Sequence, residues 1–155
     1  MKKYLFPLVA IIAALSSNLG AADDKYLFGI SEALTEHSNL VDLNIELYFA
    51  TQPHSEIIEN LGTFVTNKKT NARLRSPDTS CKRVFMSAIL SLQAKAALQG
   101  GNAVVNIHSF YKKKEMFSEE KYECHDGKNI SGVALKGTVV RLDEFSEKGG
   151  KLDPK

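Results

Sequence analysis

Between Cys81 and Leu98, the residues Phe85, Ile89, Leu92 and Ala96 recur at the spacing that places them on one side of a helix, with Ala88 adding to the stripe. Ser80 stands where an N-cap is expected, because its hydroxyl can accept from an amide left free in the first turn. Gly100-Gly101 ends the helix, since glycine enters the left-handed conformation of a helix end without a Cβ penalty. Asn102 to Tyr111 follows at once as a β-prone run. A helix that must bury a stripe and leads straight into a strand restricts the chain to a layered fold containing a sheet.

The flanking segments supply the rest of that sheet. Val41, Leu43, Ile45, Leu47 and Phe49 alternate with Asp42, Asn44, Glu46 and Tyr48, the two-residue period of a half-buried strand. A turn at Pro53 and the apolar group Ile57, Ile58 and Leu61 lead through Gly62 into a second strand, Thr63 to Thr66. Asn67 to Thr79 reads as a polar loop. Lys121 to Cys124 reads as a short strand and Gly132 to Leu142 as a longer final one, joined through the Asp126-Gly127 turn. The expected fold is α+β: a sheet of about four to five strands with one long helix packed on a face.

The N-terminus constrains where this domain folds. Lys2 and Lys3 precede the apolar run Tyr4 to Leu15, and Gly20-Ala21-Ala22 supplies small residues, so residues 1–22 read as a secretory signal peptide cleaved after Ala22. The apolar run covers about 18 Å as a helix, short of a bilayer core of roughly 30 Å, and no cysteine near the junction offers an acylation site. A soluble exported chain without a stable membrane anchor is expected. Residues 23–142 form one domain by this division, and 143–155, with Gly149-Gly150 and Pro154, reads as a mobile tail. About 133 mature residues, with 43% apolar and 25% charged content in the full chain, suit one core.

Loss of the leader leaves 18 basic against 18 acidic residues. A near-neutral chain lacks the net basic character of a nucleic-acid binder, so no nucleic-acid partner is expected. Lys68, Lys69, Arg73 and Arg75 form one local cluster and Lys112 to Lys114 another, answered by Glu115, Glu119, Glu120 and Glu123; all read as solvated surface. An anionic-lipid or polyanion contact is the competing interpretation of the basic clusters.

The string Ala97-Leu98-Gln99-Gly100-Gly101-Asn102-Ala103-Val104-Val105, within Cys81 to Val105, resembles two related bacterial families, the YbjQ-like small domains and the RcsF-like signalling domain. In both, a helix ends in small residues and runs into an Asn-Ala-Val strand. The resemblance spans about residues 47–142, including Ile58 through Gly62, and implies an α+β domain. For the RcsF-like branch it implies an envelope-stress sensor that touches other proteins while disulfides hold its shape. Cys81 and Cys124 sit where that pattern places bonded cysteines.

Two cysteines in an oxidising compartment permit one intramolecular bond, Cys81 to Cys124, closing a loop of about 44 residues. The chain-entropy treatment assigns such a crosslink roughly 4 kcal/mol, comparable with the whole stability of a small domain. Two other uses of these residues stay open. Cys81 at a helix start beside Lys82 and Arg83 has surroundings that lower a thiol pKa, although no Cys-x-x-Cys partner exists. Cys81, Cys124, His125 and His108 are ligand types that zinc or copper(I) could use, but adjacent Cys124 and His125 would point to opposite faces of a strand. His108 lies in an apolar strand as a satisfied, partly buried residue, and His37 and His54 read as loop or surface positions.

Catalytic signatures are missing: the chain has no Gly-x-Ser-x-Gly elbow, no His-Glu-x-x-His and no phosphate loop. Gly100-Gly101 follows a helix, whereas a phosphate cradle precedes one. Glu119 and Glu120 are adjacent in a charged segment and read as solvated, and Asn129-Ile130-Ser131 matches a glycosylation sequon. The expectation is an exported, non-catalytic binding module without a cofactor, in the manner of an RcsF-like sensor or adaptor, with an envelope or periplasmic protein as partner. The alternatives are a periplasmic Cys/His metal-binding or thiol-redox protein, and an enzyme with no recognisable motif.

Overall fold

The structure, a computed structural model, describes residues 24–143; the leader with its cleavage point at Ala22, and residues 144–155 of the expected tail, lie outside the described residues. The elements run β1 (Asp24–Gly29), α1 (Ile30–Glu36), β2 (Glu46–Phe49), β3 (Ile57–Asn71), α2 (Pro77–Gln99), β4 (Ala103–Ser109), β5 (Lys121–Asp126) and β6 (Ile130–Leu142), with single 3-10 turns at Ser38–Leu40 and Tyr111–Lys113. The fold is α+β: a mixed six-stranded sheet with the long helix α2 packed on it.

β6 organises the sheet. One edge pairs antiparallel with β3 from Ile57↔Leu142 to Asn71↔Ile130. Its other edge is shared: His125 and Asp126 of β5 meet Gly132 and Ser131, while β4 runs from Ala103↔Val140 to Ser109↔Leu135. β1 extends the sheet beyond β5 in antiparallel register, and β2 extends it beyond β4 in parallel register.

Side-chain alternation along β6 separates the two faces. Val133, Leu135 and Val139 join Val84, Phe85, Ala88, Ile89, Leu92 and Ala96 of α2 in the main core. A Cβ at Gly137 would stand 2.7 Å from Val104 Cγ1 and 3.6 Å from Leu92 Cδ1, so the absent side chain lets helix and sheet approach closely. On the opposite face, Ala103, Val105, Val140 and Leu142 form a small separate cluster with Tyr48.

α2 starts earlier than its apolar stripe indicates. Ser76, not Ser80, is the N-cap: its Oγ accepts from the Thr79 amide at 3.3 Å, and Pro77 opens the helix with its preset φ. Ser80 lies inside the helix, its Oγ 3.2 Å from Asp126 Oδ1. At the other end the expectation holds. Gly100 is left-handed (φ 73°), donating to Ala97 O while Gly101 donates to Ala96 O.

Three segments differ from their sequence pattern. The expected polar loop from Asn67 is strand as far as Asn71, because the β6 edge pairs without interruption with Gly62 to Asn71 of β3. The alternating run from Val41 yields strand only from Glu46. Asp42 Oδ1 accepts from the Asn44 amide at 2.9 Å, and buried Gln93 donates to the carbonyls of Asp42 and Ile45 at 2.8 and 2.9 Å, so the backbone turns there and Leu43 is 89% exposed. Finally β1 and α1, to which the pattern assigned no element, add an edge strand and a short helix whose Ile30 and Ala33 are buried.

Candidate binding face

The disulfide joins the two layers. Cys81 of α2 and Cys124 of β5 are bonded (S–S 2.02 Å, Cα–Cα 5.9 Å) and fully buried. With the sulfurs committed to each other, neither is a thiolate for redox attack or a metal ligand in this state. One helical turn beyond Cys81 lies Phe85, and two residues before Cys124 lies Tyr122; their rings stack at 3.9 Å. Burial pushes the Tyr122 phenol well above its ordinary titration range, and its hydroxyl has no hydrogen-bond partner among the described residues.

Lys82 ties α1 to this core. Its Nζ lies 2.6 Å from Glu32, 3.1 Å from Glu36 and 3.1 Å from Asp78, and the Glu32 and Glu36 carboxylates hold its pKa above the usual lysine range. This ammonium is 6% exposed with three acceptors, so its burial is compensated.

The sheet face away from α2 is built differently, from polar pairs and rings. His108 projects there from β4, where a bulge at Asn106 interrupts pairing with β6. Nδ1 of His108 lies 2.7 Å from the Asn106 carbonyl, which can only accept, so Nδ1 carries the proton. Nε2 is buried, 3.6 Å from Glu115 Oε1 and without a hydrogen-bond partner among the described residues. Lys136 donates to the same Glu115 oxygen at 2.7 Å and holds that carboxyl below its ordinary range. Phe117 packs on the His108 ring at 4.2 Å, and Lys136 lies over Phe110 at 4.9 Å.

A second cluster lies beside the first through Ser109, whose Oγ accepts from the Glu123 amide at 2.9 Å. Burial would raise the Glu123 carboxyl, yet Lys25 at 2.7 Å and His125 at 2.6 Å hold it below the ordinary range. Tyr111 stacks on the His125 ring at 3.4 Å. The connection between β4 and β5 places Lys112 and Lys113 at φ 50° and 64°, and Asn106 in the preceding bulge has φ 53°. L-residues rarely adopt these conformations, and three of them frame this one face.

Of the residues marked by sequence, Cys81 and Cys124 are brought together as a bond, and His108 and His125 point to the open face away from it. His37 ends α1 and His54 meets the edge of the Tyr48 ring at 5.4 Å. Among the described residues no three His, Cys, Asp or Glu side chains converge to hold a metal ion. The acids expected to answer Lys112–Lys114 have other partners: Glu115 pairs with Lys136, Glu123 with Lys25 and His125, and Glu119 accepts from the Thr51 hydroxyl. Sequence reading missed Lys25, Glu115, Lys136 and the flanking rings as a group. The one local signal was the Glu123, His125 alternation, which puts both on one face of a strand. Among the described residues no helix is long and apolar enough to cross a membrane.

No family model matches this chain, and no curated protein matches it.

Proposed function

We propose that the chain is an exported, non-catalytic binding module, an RcsF-like envelope sensor or adaptor, whose open sheet face contacts an envelope protein. The observation carrying this is the one-sided covering of the sheet. α2 and the disulfide close one face. The other face exposes Leu27, Val65 and Phe117, at 48%, 54% and 53%, among ion pairs that already satisfy each other. Exposed apolar side chains around an aromatic centre, with charges of both signs, suit a protein surface better than a polyanion. Buried cystine suits an oxidising compartment and supports export.

The test is a photo-crosslinking amino acid placed at Phe117 or Val65 in living cells, with Ser87 on the outer side of α2 as the comparison. Adducts to one envelope protein from the first two positions and none from Ser87 are expected. Adducts from Ser87 alone, or saturable turnover of a small substrate by the purified chain, would overturn the assignment.

A further inference from the structure

The loop leaving β3 and the turn between β5 and β6 are stitched together at one end of the sheet. The Ala72 amide donates to Asn129 O at 2.9 Å, and the Gly127 amide donates to Ile130 O at 2.9 Å. The joined tips enclose an open basin of about 700 Å³, lined by Lys69 and Arg73 from one strand end and Lys128 from the turn, with Ile130 supplying apolar wall. Arg75 stands beside it, its guanidinium donating to Asn71 O at 2.9 Å. A basic run contiguous in sequence thus acquires a further cation from a segment more than fifty residues away.

None of Lys69, Arg73, Arg75 and Lys128 forms an ion pair with a carboxylate among the described residues. The acids nearest in sequence are turned elsewhere: Asp78 engages Lys82, and Asp126 accepts from the Ser80 and Ser131 hydroxyls. The positive potential at this end is therefore uncompensated locally, although the chain as a whole carries only +2.

Between Arg73 and Arg75 stands Leu74, in the left-handed region (φ 60°) and 106% exposed. The turn behind it is held by the Arg75 amide donating to Ala72 O at 3.1 Å. A leucine projected from a tight turn and flanked by arginines loses apolar contact with its own fold. Ile130, 53% exposed, lies in the adjacent basin. A phosphate ion or a nucleic-acid backbone would use the cations and leave Leu74 without purpose. A lipid surface uses both, because cations meet the headgroups while the apolar side chain enters the acyl boundary.

We infer that the joined tips at 69–75 and 128–130 form a docking site for an anionic lipid bilayer surface. The contact is peripheral and reversible, since one leucine and four cations hold a domain at a surface without spanning it. It lies apart from the open-face cluster and stands or falls separately from the protein contact proposed there.

The experiment is cosedimentation of the disulfide-intact chain, purified in the form the cell makes, with two vesicle types: phosphatidylcholine alone, and phosphatidylcholine mixed with phosphatidylglycerol. Binding is expected to the mixed vesicles only, weakening as salt rises. Arg73→Gln with Lys128→Gln should weaken it about 30-fold and Leu74→Ser roughly tenfold, while Lys112→Gln with Lys113→Gln leaves it unchanged. The sequence contains no tryptophan, so Leu74→Trp gives a direct reporter whose emission should shift to the blue on anionic vesicles. Equal binding to both vesicle types, equal loss in the two Gln pairs, or an unshifted indole emission from the Leu74→Trp variant would overturn the proposal. So would release from vesicles by inorganic phosphate, glycerol phosphate or a soluble polynucleotide at a total ionic strength where sodium chloride alone leaves binding intact, which would assign the basin to a free anion or to nucleic acid.

Discussion

The two faces of the sheet solve different problems. On the α2 side, apolar residues from β4, β5 and β6 interlock with one helical stripe, and a covalent bond joins the layers beside the Phe85–Tyr122 stack. On the other side, side chains from β1, β4, β5, β6 and the β4–β5 connection satisfy each other as Lys25–Glu123–His125 and Lys136–Glu115 with His108 nearby. Apolar packing and a crosslink do not depend on the charge state of any side chain, whereas the open-face pairs do, and their more exposed members, Lys25, Glu115 and Lys136, contribute little stability there. The contrast separates a scaffold from a surface available for contact.

That contrast breaks most readily at the cystine. Replacing both Cys81 and Cys124 by Ala should lower the unfolding free energy by about 4 kcal/mol in urea titration. A loss under about 1 kcal/mol would mean the crosslink adds nothing to the packed side. Next in size is Gly137→Ala, whose Cβ meets Val104 Cγ1 at 2.7 Å. Overpacking at that position should cost about 2 kcal/mol by the same titration. On the open face, Phe117→Ala should change stability by less than about 1 kcal/mol, because that ring is half exposed, while reducing crosslinked capture of the envelope protein proposed to dock there.

The smallest effect is electrostatic, and its sign follows from Glu123. Its folded pKa is depressed, so the stability it contributes is complete above the unfolded carboxylate value and disappears as pH falls through the folded value. Unfolding free energy of the native chain should therefore drop more steeply below about pH 4.5 than that of Glu123→Gln. Parallel curves would show that Lys25 and His125 contribute nothing measurable through this carboxylate.

The packed side was the legible one. Phe85, Ile89, Leu92 and Ala96 announce a buried stripe at helical period, and Gly100-Gly101 announces its end, because both signals are local and independent of the partner layer. Ser80 misled because the true cap, Ser76, precedes the apolar stripe by a full turn behind Pro77. The alternation at Val41–Ile45 was overridden by Gln93, about fifty residues away, which captures two carbonyls of that segment. Periodicity also stopped short of the true end of β3, since Asn67 to Asn71 are strand only through pairing with Ile130 to Ala134.

The open face was almost illegible, for a physical reason. Glu115 and Lys136 are 21 residues apart and Lys25 and Glu123 nearly a hundred, so neither pair leaves a spacing that sequence alone can recognise. Likewise Lys128 gave no sign of joining Arg73 until the Ala72–Asn129 hydrogen bond brought the tips together.

All of this depends on a domain that folds outside the reducing cytosol with one covalent tie, leaving its other face free to bind. Mass analysis of chain recovered from cells, alkylated while denatured but not reduced, addresses that dependence most directly. The expected result is an N-terminus following Ala22 and no alkyl group on either sulfur until reductant is added. A cytosolic chain that keeps residues 1–22 and takes up two alkyl groups without reduction would contradict it.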